Sequence, residues 1–136
     1  MDKTYLIRKQ NNQMGNHAGF TLNCSFQKQE TSRKTVDFAI DALEAQWKEA
    51  TLEGIAIFYA FYGEHFSGVL TIAIKNIKWF PVDTRDIIIT YTIIRTLCHW
   101  FQLDFKPILH QYQFESVLFL NDLSFETEDD IHFFIM

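Results

Sequence analysis

Apolar residues recur with two different periods along this chain of 136 residues, and the period is the first guide to its elements. Tyr5-Leu6-Ile7 and the stretch from Gly19 to Phe26, where Phe20, Leu22, Cys24 and Phe26 alternate with polar residues, predict two strands. The turn chemistry of Asn11 to Asn16 between them predicts a hairpin. Further on, Thr31-Ser32 offers an N-cap, and Val36, Ile40, Leu43, Trp47 and Ala50 recur at steps of three and four, with Asp37, Asp41, Glu44 and Lys48 between them. That spacing predicts an amphipathic helix over 32–52 that ends at Glu53-Gly54. Ile55 to Tyr62 is apolar on both faces and predicts a central strand, joined through Gly63 to Gly68 with a second strand at Val69 to Ile74.

The run from Asp83 to Leu103 is rich in β-branched residues, yet Ile87, Tyr91, Ile94, Cys98 and Phe101 continue one face for more turns than an ordinary strand allows, and Asp86 sits where a first turn favours an acid. A buried helix over 83–103 is expected. Pro107 interrupts the pattern, and Ile108-Leu109, Val117 to Leu120 and Ile131 to Ile135 predict short closing strands. The sum is an α+β protein: an antiparallel or mixed β-sheet of roughly five to seven strands packed by two main helices, 32–52 and 83–103, in a single domain over 1–136.

Composition supports a packed core. The chain is 48% hydrophobic and 16% aromatic, with 14 Phe against 5 Gly and 2 Pro, unlike a disordered chain or a loop-rich disulfide scaffold. Its two cysteines, Cys24 and Cys98, lie on apolar faces and are expected as free thiols in a reducing compartment. Charges interrupt the first ten residues before a signal-peptide core forms, and the longest apolar run falls short of the ~18–20 residues that span a bilayer. A cytoplasmic protein without a membrane segment is expected.

The distribution of charge changes the picture more than its total. Against 12 Lys and Arg the chain carries 17 Asp and Glu, a net −5. Residues 107–136 contain no Lys or Arg and six acids, Glu115, Asp122, Glu126, Glu128, Asp129 and Asp130, while the preceding residues are close to neutral. Such a run is often a solvated turn. Crowded like charges nevertheless repel unless a cation or basic protein neutralises them, and Phe125 and Phe133 stand among these acids as aromatic anchors stand within a charged rim. A surface of that kind steers a basic partner at rates that fall with salt.

With these acids and flanking phenylalanines, the chain resembles, at the level of class, the bacterial immunity proteins made beside contact-dependent and polymorphic toxins. That resemblance implies a small acidic α+β protein that covers the basic cleft of a toxin, often a nuclease, and needs neither catalysis nor a cofactor. It puts the partner-binding surface at Glu115, Asp122, Phe125, Glu126, Glu128, Asp129, Asp130 and Phe133.

Other chemistry finds little support. Cys98 and His99 are adjacent on the expected helix and point about 100° apart, which suits them poorly as metal co-ligands. No Gly-rich phosphate loop occurs, and Lys75 to Phe80 carries too few cations for the stripe that grips nucleic acid directly. Three competitors stay open. They are an anti-defence inhibitor whose acids imitate nucleic-acid phosphates, a small enzyme using Glu64, His65, Cys98 or His99 in one pocket, and a homodimer that buries the excess aromatics.

Overall fold

The computed structural model describes residues 1–11, 14–39, 44–112, 125–128 and 131–134. Its first strands, β1 (Lys3–Asn11) and β2 (Met14–Lys28), form the hairpin expected from the sequence, with Tyr5 opposite Phe20 and Ile7 opposite Ala18. Strand β3 (Arg33–Phe38) runs parallel to β4 (Gly68–Lys78), which in turn pairs antiparallel with β2. Two short strands follow late in the chain, β5 (Phe125–Glu128) and β6 (Ile131–Phe134), and β6 lies parallel to β1. The mixed sheet has the order β3-β4-β2-β1-β6-β5.

Three α-helices complete the described residues: α1 (Lys48–Tyr62), α2 (Asp86–Trp100) and α3 (Lys106–Gln111). The expected helix over 83–103 is present as α2. Its residues from Ile88 to Cys98 are buried without a break, so a helix hydrophobic all round replaces the amphipathic one found at a surface. Two of its buried threonines satisfy their hydroxyls at carbonyls, Thr92 Oγ1 donating to Ile88 O at 2.6 Å and Thr90 Oγ1 to Ala50 O at 2.9 Å, whereas the Thr96 hydroxyl is buried without a partner among the described residues. Arg95 is 4% exposed, donates to the Tyr91 hydroxyl at 2.7 Å and lies 5.9 Å from the centre of the Phe105 ring.

Several expectations are corrected. Residues 32–52 do not form one helix: Thr31-Ser32 precedes β3, and the helix starts at Lys48 after a 3-10 turn at Glu44–Trp47. Lys34, Val36 and Phe38 fall on one side of β3 and Arg33, Thr35 and Asp37 on the other, so strand alternation overrides the coincidental helical spacing of Val36 and Trp47. Ile40 to Leu43 lie outside the described residues. The expected central strand at Ile55 to Tyr62 is the second half of α1, and the partners of β4 are β2 and β3. Gly54 does not end a helix. It sits inside α1, where a β-carbon would stand 2.8 Å from the Thr90 carbonyl oxygen, and it therefore permits the close crossing of α1 on α2. Ile108-Leu109 belong to α3 rather than a strand, with Pro107 at the helix start, where its missing N–H costs nothing. Val117 to Leu120 lie outside the described residues.

Helices α1 and α2 lie on one face of the sheet. His99 of α2 contacts Tyr5, with Nδ1 3.2 Å from the hydroxyl, and α1 runs along β3, with Lys34 Nζ 5.4 Å from the Tyr59 ring centre and Lys48 Nζ 5.3 Å from that of Phe38. Tyr5, Phe20, Leu22, Ile72, Ile74, Ile88 and Ile93 fill the core between the layers. The opposite face is mixed, with apolar Leu6, Val69 and Ala73 among polar residues. Its threonines include Thr4 and Thr21, whose hydroxyl oxygens are 2.9 Å apart across β1 and β2, and it carries Asn23, Ser25, Thr71 and Asn76 at half-buried or exposed positions. No helix among the described residues is long and apolar enough to cross a membrane.

Candidate functional site

Of the eight residues expected to bind a partner, four are placed by backbone. Phe125, Glu126 and Glu128 lie in β5 and Phe133 in β6, whereas Glu115, Asp122, Asp129 and Asp130 lie outside the described residues. The strand period of two puts positions 126 and 128 on one face of β5 and position 125 on the other. Register extends this placement: Glu126 is paired with Phe133, which is in line with Leu6, and Glu128 is paired with Ile131, in line with Thr4. The two acids therefore belong to the face not covered by helices, at the outer strand of the sheet, and Phe133 shares their face while Phe125 does not.

Two cavities lie elsewhere among the described residues. The first, of about 420 Å³, opens at the end of β4 and is lined by His17, Glu44, Asn76, Lys78, Trp79 and Phe80, among others. The His17 ring stands 4.3 Å from the Phe80 ring, and its backbone is fixed at both ends. The His17 N–H donates to Asp83 O at 3.0 Å, and Thr84 Oγ1 donates to His17 O at 2.6 Å. Glu44 Oε2 accepts from the Ile77 N–H at 3.5 Å, and Trp47 packs edge-on to Trp79 with ring centres 5.7 Å apart.

The second cavity, of about 330 Å³, lies between α1 and α2. Glu53, Asp86 and Tyr112 rim it, and Ile57, Ile87 and Thr90 form its wall. Among the described residues its lining has two carboxylates, apolar surface and no cation. Such a hollow suits an ammonium or guanidinium group carried on an aliphatic stem. Sequence reading missed both acids, since Glu53 looks like a helix end and Asp86 like a first-turn acid. Only the corrected span of α1 brings them to one place.

The residues of the enzyme alternative do not line either cavity. Glu64 and His65 sit on a 3-10 turn at Gly63–His65, with the His65 ring 5.4 Å from Tyr62. Cys98 is buried within α2, and burial, reinforced by Asp104, pushes its thiol up to about 12. Burial likewise pushes Cys24 up to about 12 against a small opposing effect of Lys3, and Tyr5, raised chiefly by burial and secondarily by Cys24, to about 12. Both thiols stay protonated at neutral pH and make poor nucleophiles there. Among the described residues, no group of three or more His, Cys, Asp and Glu is arranged to hold a metal ion.

These thiols yield a prediction in two parts. Native protein at pH 8 will react with a chromogenic disulfide reagent only as fast as it opens, and labelling will become immediate in denaturant. Because the folded pKa of Cys24 and Cys98, about 12, exceeds the ordinary value of 9.0, the unfolded state loses protons first as pH rises. Their contribution is complete below pH 9 and is lost between there and about pH 12. Denaturation midpoints measured from pH 7 to pH 11 will fall, and a flat profile would contradict burial of both thiols.

No protein-family model and no curated protein matches the chain. Among solved structures, the chain is similar to a protein of Thermus thermophilus, with a TM-score of 0.52 and 18% sequence identity. The match covers 68% of this chain and 14% of the Thermus chain, so this chain spans a small part of that protein's length. At this identity the similarity concerns the fold.

Proposed function

We propose that this chain is a cytoplasmic immunity protein that binds a basic toxin, of which a nuclease is the leading type, and blocks its active site without chemistry of its own. The reading is carried by the charge segregation: residues 107–136 hold six acids and no Lys or Arg. Its support in three dimensions is that Glu126 and Glu128 share a face of the outer strand β5, in register with Ile131 and Phe133. An acidic edge with apolar neighbours steers a cationic surface and then desolvates it.

The test pairs capture with inhibition. The native chain and a Glu126→Lys, Glu128→Lys variant are used to capture partners from a lysate of the source organism at low and high salt, and the captured protein is then purified and assayed. The proposal expects a basic protein held by the native chain, released by salt, retained poorly by the variant, and fully inhibited by about one equivalent of the native chain. Equal capture by both chains, or a captured protein whose activity is untouched, would remove the proposal. A second reading has one observation in its favour: His17, Glu44 and Lys78 converge on the first cavity, as acid–base groups of a small enzyme would. Soaking or titrating that cavity with small carboxylates and nucleotides, followed by NMR shifts at Trp79 and His17, distinguishes it.

A further inference from the structure

We infer that the protein pairs with a second copy of itself along the outer edge of β3, antiparallel and centred on Thr35, so that one sheet runs through both copies. Strand β3 ends the sheet, with β4 as its neighbour. Ala39 N–H donates to Ile74 O at 2.8 Å, which fixes the alternation of the backbone: residues 33, 35 and 37 turn their N–H and C=O groups toward β4, and Lys34, Val36 and Phe38 turn theirs outward. Outward groups on a terminal strand are a template for another strand. The strand is open to receive one, since Arg33, Lys34, Thr35 and Asp37 are exposed and Val36 and Phe38 half-buried.

The order of side chains selects the partner. Arg33, Thr35 and Asp37 occupy the face not covered by helices, with a cation at one end and a carboxylate at the other. Antiparallel pairing about Thr35 sets each Arg33 opposite Asp37 of the second copy, twice by symmetry. These are the non-hydrogen-bonded positions of the ladder, where opposing side chains come closest. Lys34 and Val36 then supply the backbone bonds. A shift that centres the pairing on Val36 would set Thr35 against Asp37 and leave Arg33 without a carboxylate, so the register is specified by charge. The other terminal strand, β5, carries Glu126 and Glu128 on one face and no cation, and would repel its own copy.

The helix side supplies an apolar contribution. Lys48 reaches Phe38 and Tyr59 reaches Lys34, so α1 runs antiparallel to β3 above this edge. Leu52, one turn after Lys48 and two turns before Tyr59, falls on the same stripe and is 38% exposed. A two-fold axis through Thr35, perpendicular to the sheet, brings both α1 helices beside the seam, with Leu52, Val36 and Phe38 of each copy flanking it. The contact is isologous and closes at two copies. Charged residues on an edge commonly prevent pairing; here their signs favour it in one register, and that is the property to test.

The full chain would be measured by sedimentation equilibrium across a range of concentrations at physiological salt. The inference expects a shift from 16.1 kDa toward twice that mass as concentration rises. Asp37→Arg alone and Arg33→Asp alone are each expected to remain monomeric, because one strand then carries two cations and the other two carboxylates. Mixing the two variants in equal amounts should restore the dimer mass, a result that also requires both to be folded. The exchange of both residues in one chain should dimerise as the native chain does. Val36→Pro, which removes an outward donor and leaves the β4 ladder intact, should abolish the dimer with an unchanged circular dichroism spectrum. A mass of 16.1 kDa at every concentration overturns the inference, as does a dimer indifferent to these substitutions or an assembly that grows beyond two copies.

Discussion

Phe58→Ala will lower the free energy of unfolding by about 3–5 kcal/mol, the range for removing a fully buried phenylalanine. Phe58 is wholly buried on α1 and meets Tyr62 and Phe66 at ring-centre distances of 5.9 Å and Phe101 at 6.3 Å. These rings join α1, the link between the 3-10 turn and β4, and the end of α2 in one cluster, so the cavity left by truncation has walls on several elements and little means of collapsing. Lost ring–ring geometry adds roughly 0.5–1.5 kcal/mol per pair to the transfer cost. Against a total of ~5–15 kcal/mol for a domain, the variant should retain its fold at low temperature and unfold at a much lower urea concentration, with an unchanged slope. A loss under about 1.5 kcal/mol would mean the cluster is not packed as described.

The second large effect has an instructive sign. On helix propensity alone, Gly54→Ala should stabilise α1 by about 1 kcal/mol. The structure predicts the opposite, a net loss of about 1–3 kcal/mol from overpacking. A β-carbon at position 54 would collide with the Ile93 side chain and stand 2.8 Å from the Thr90 carbonyl oxygen, and the carbonyl belongs to a buried helix that cannot step aside. Combining Gly54→Ala with Ile93→Ala divides the two causes. If the side chain is the main obstacle, the double variant loses less than the sum of the single losses; if the carbonyl is, the losses add. A stabilised Gly54→Ala protein would require α1 and α2 to be further apart.

These two residues also mark where the sequence could be read and where it could not. The β1–β2 hairpin was legible because Phe20, Leu22 and Cys24 alternate strictly, and α2 because its apolar spacing outlasts any ordinary strand. The segment from 32 to 62 hides its elements through two coincidences. Val36 and Trp47 happen to continue a helical spacing across residues that belong to different elements, while Lys34, Val36 and Phe38 carried the strand period at the same time. Ile55 to Tyr62 looks like a central strand because apolar residues occupy every side of it. In α1, Ile55 and Phe58 face the core, Ile57, Tyr59 and Phe61 are partly covered, and only the small Ala56 and Ala60 are left exposed. Gly54 has the composition of a helix end, and its role as a point of close approach depends on Thr90, which lies far away in sequence.

The candidate site was legible as a charge imbalance but not as a shape. Glu126 and Glu128 could be singled out from composition, yet their common face depends on β5 being a strand. The pairing of Glu53 with Asp86 depends on the contact between α1 and α2. Neither is encoded by local pattern.

The parallel pairing of β1 with β6 has a consequence for the order in which the molecule is built. Thr4 sits opposite Ile131, so the more than one hundred residues between them must be made before this pair can form. During synthesis β1 and β2 can close their hairpin early, and β4 can add once residues 68–78 emerge, but β1 remains an outer strand until residues 131–134 arrive. Contacts so distant in sequence are slow to form, and an outer strand held open during that interval is open to wrong partners. The strand that closes the sheet is thus β6, which follows directly on the acidic segment, so the residues that end the exposure of β1 are among the last of the described residues to be made.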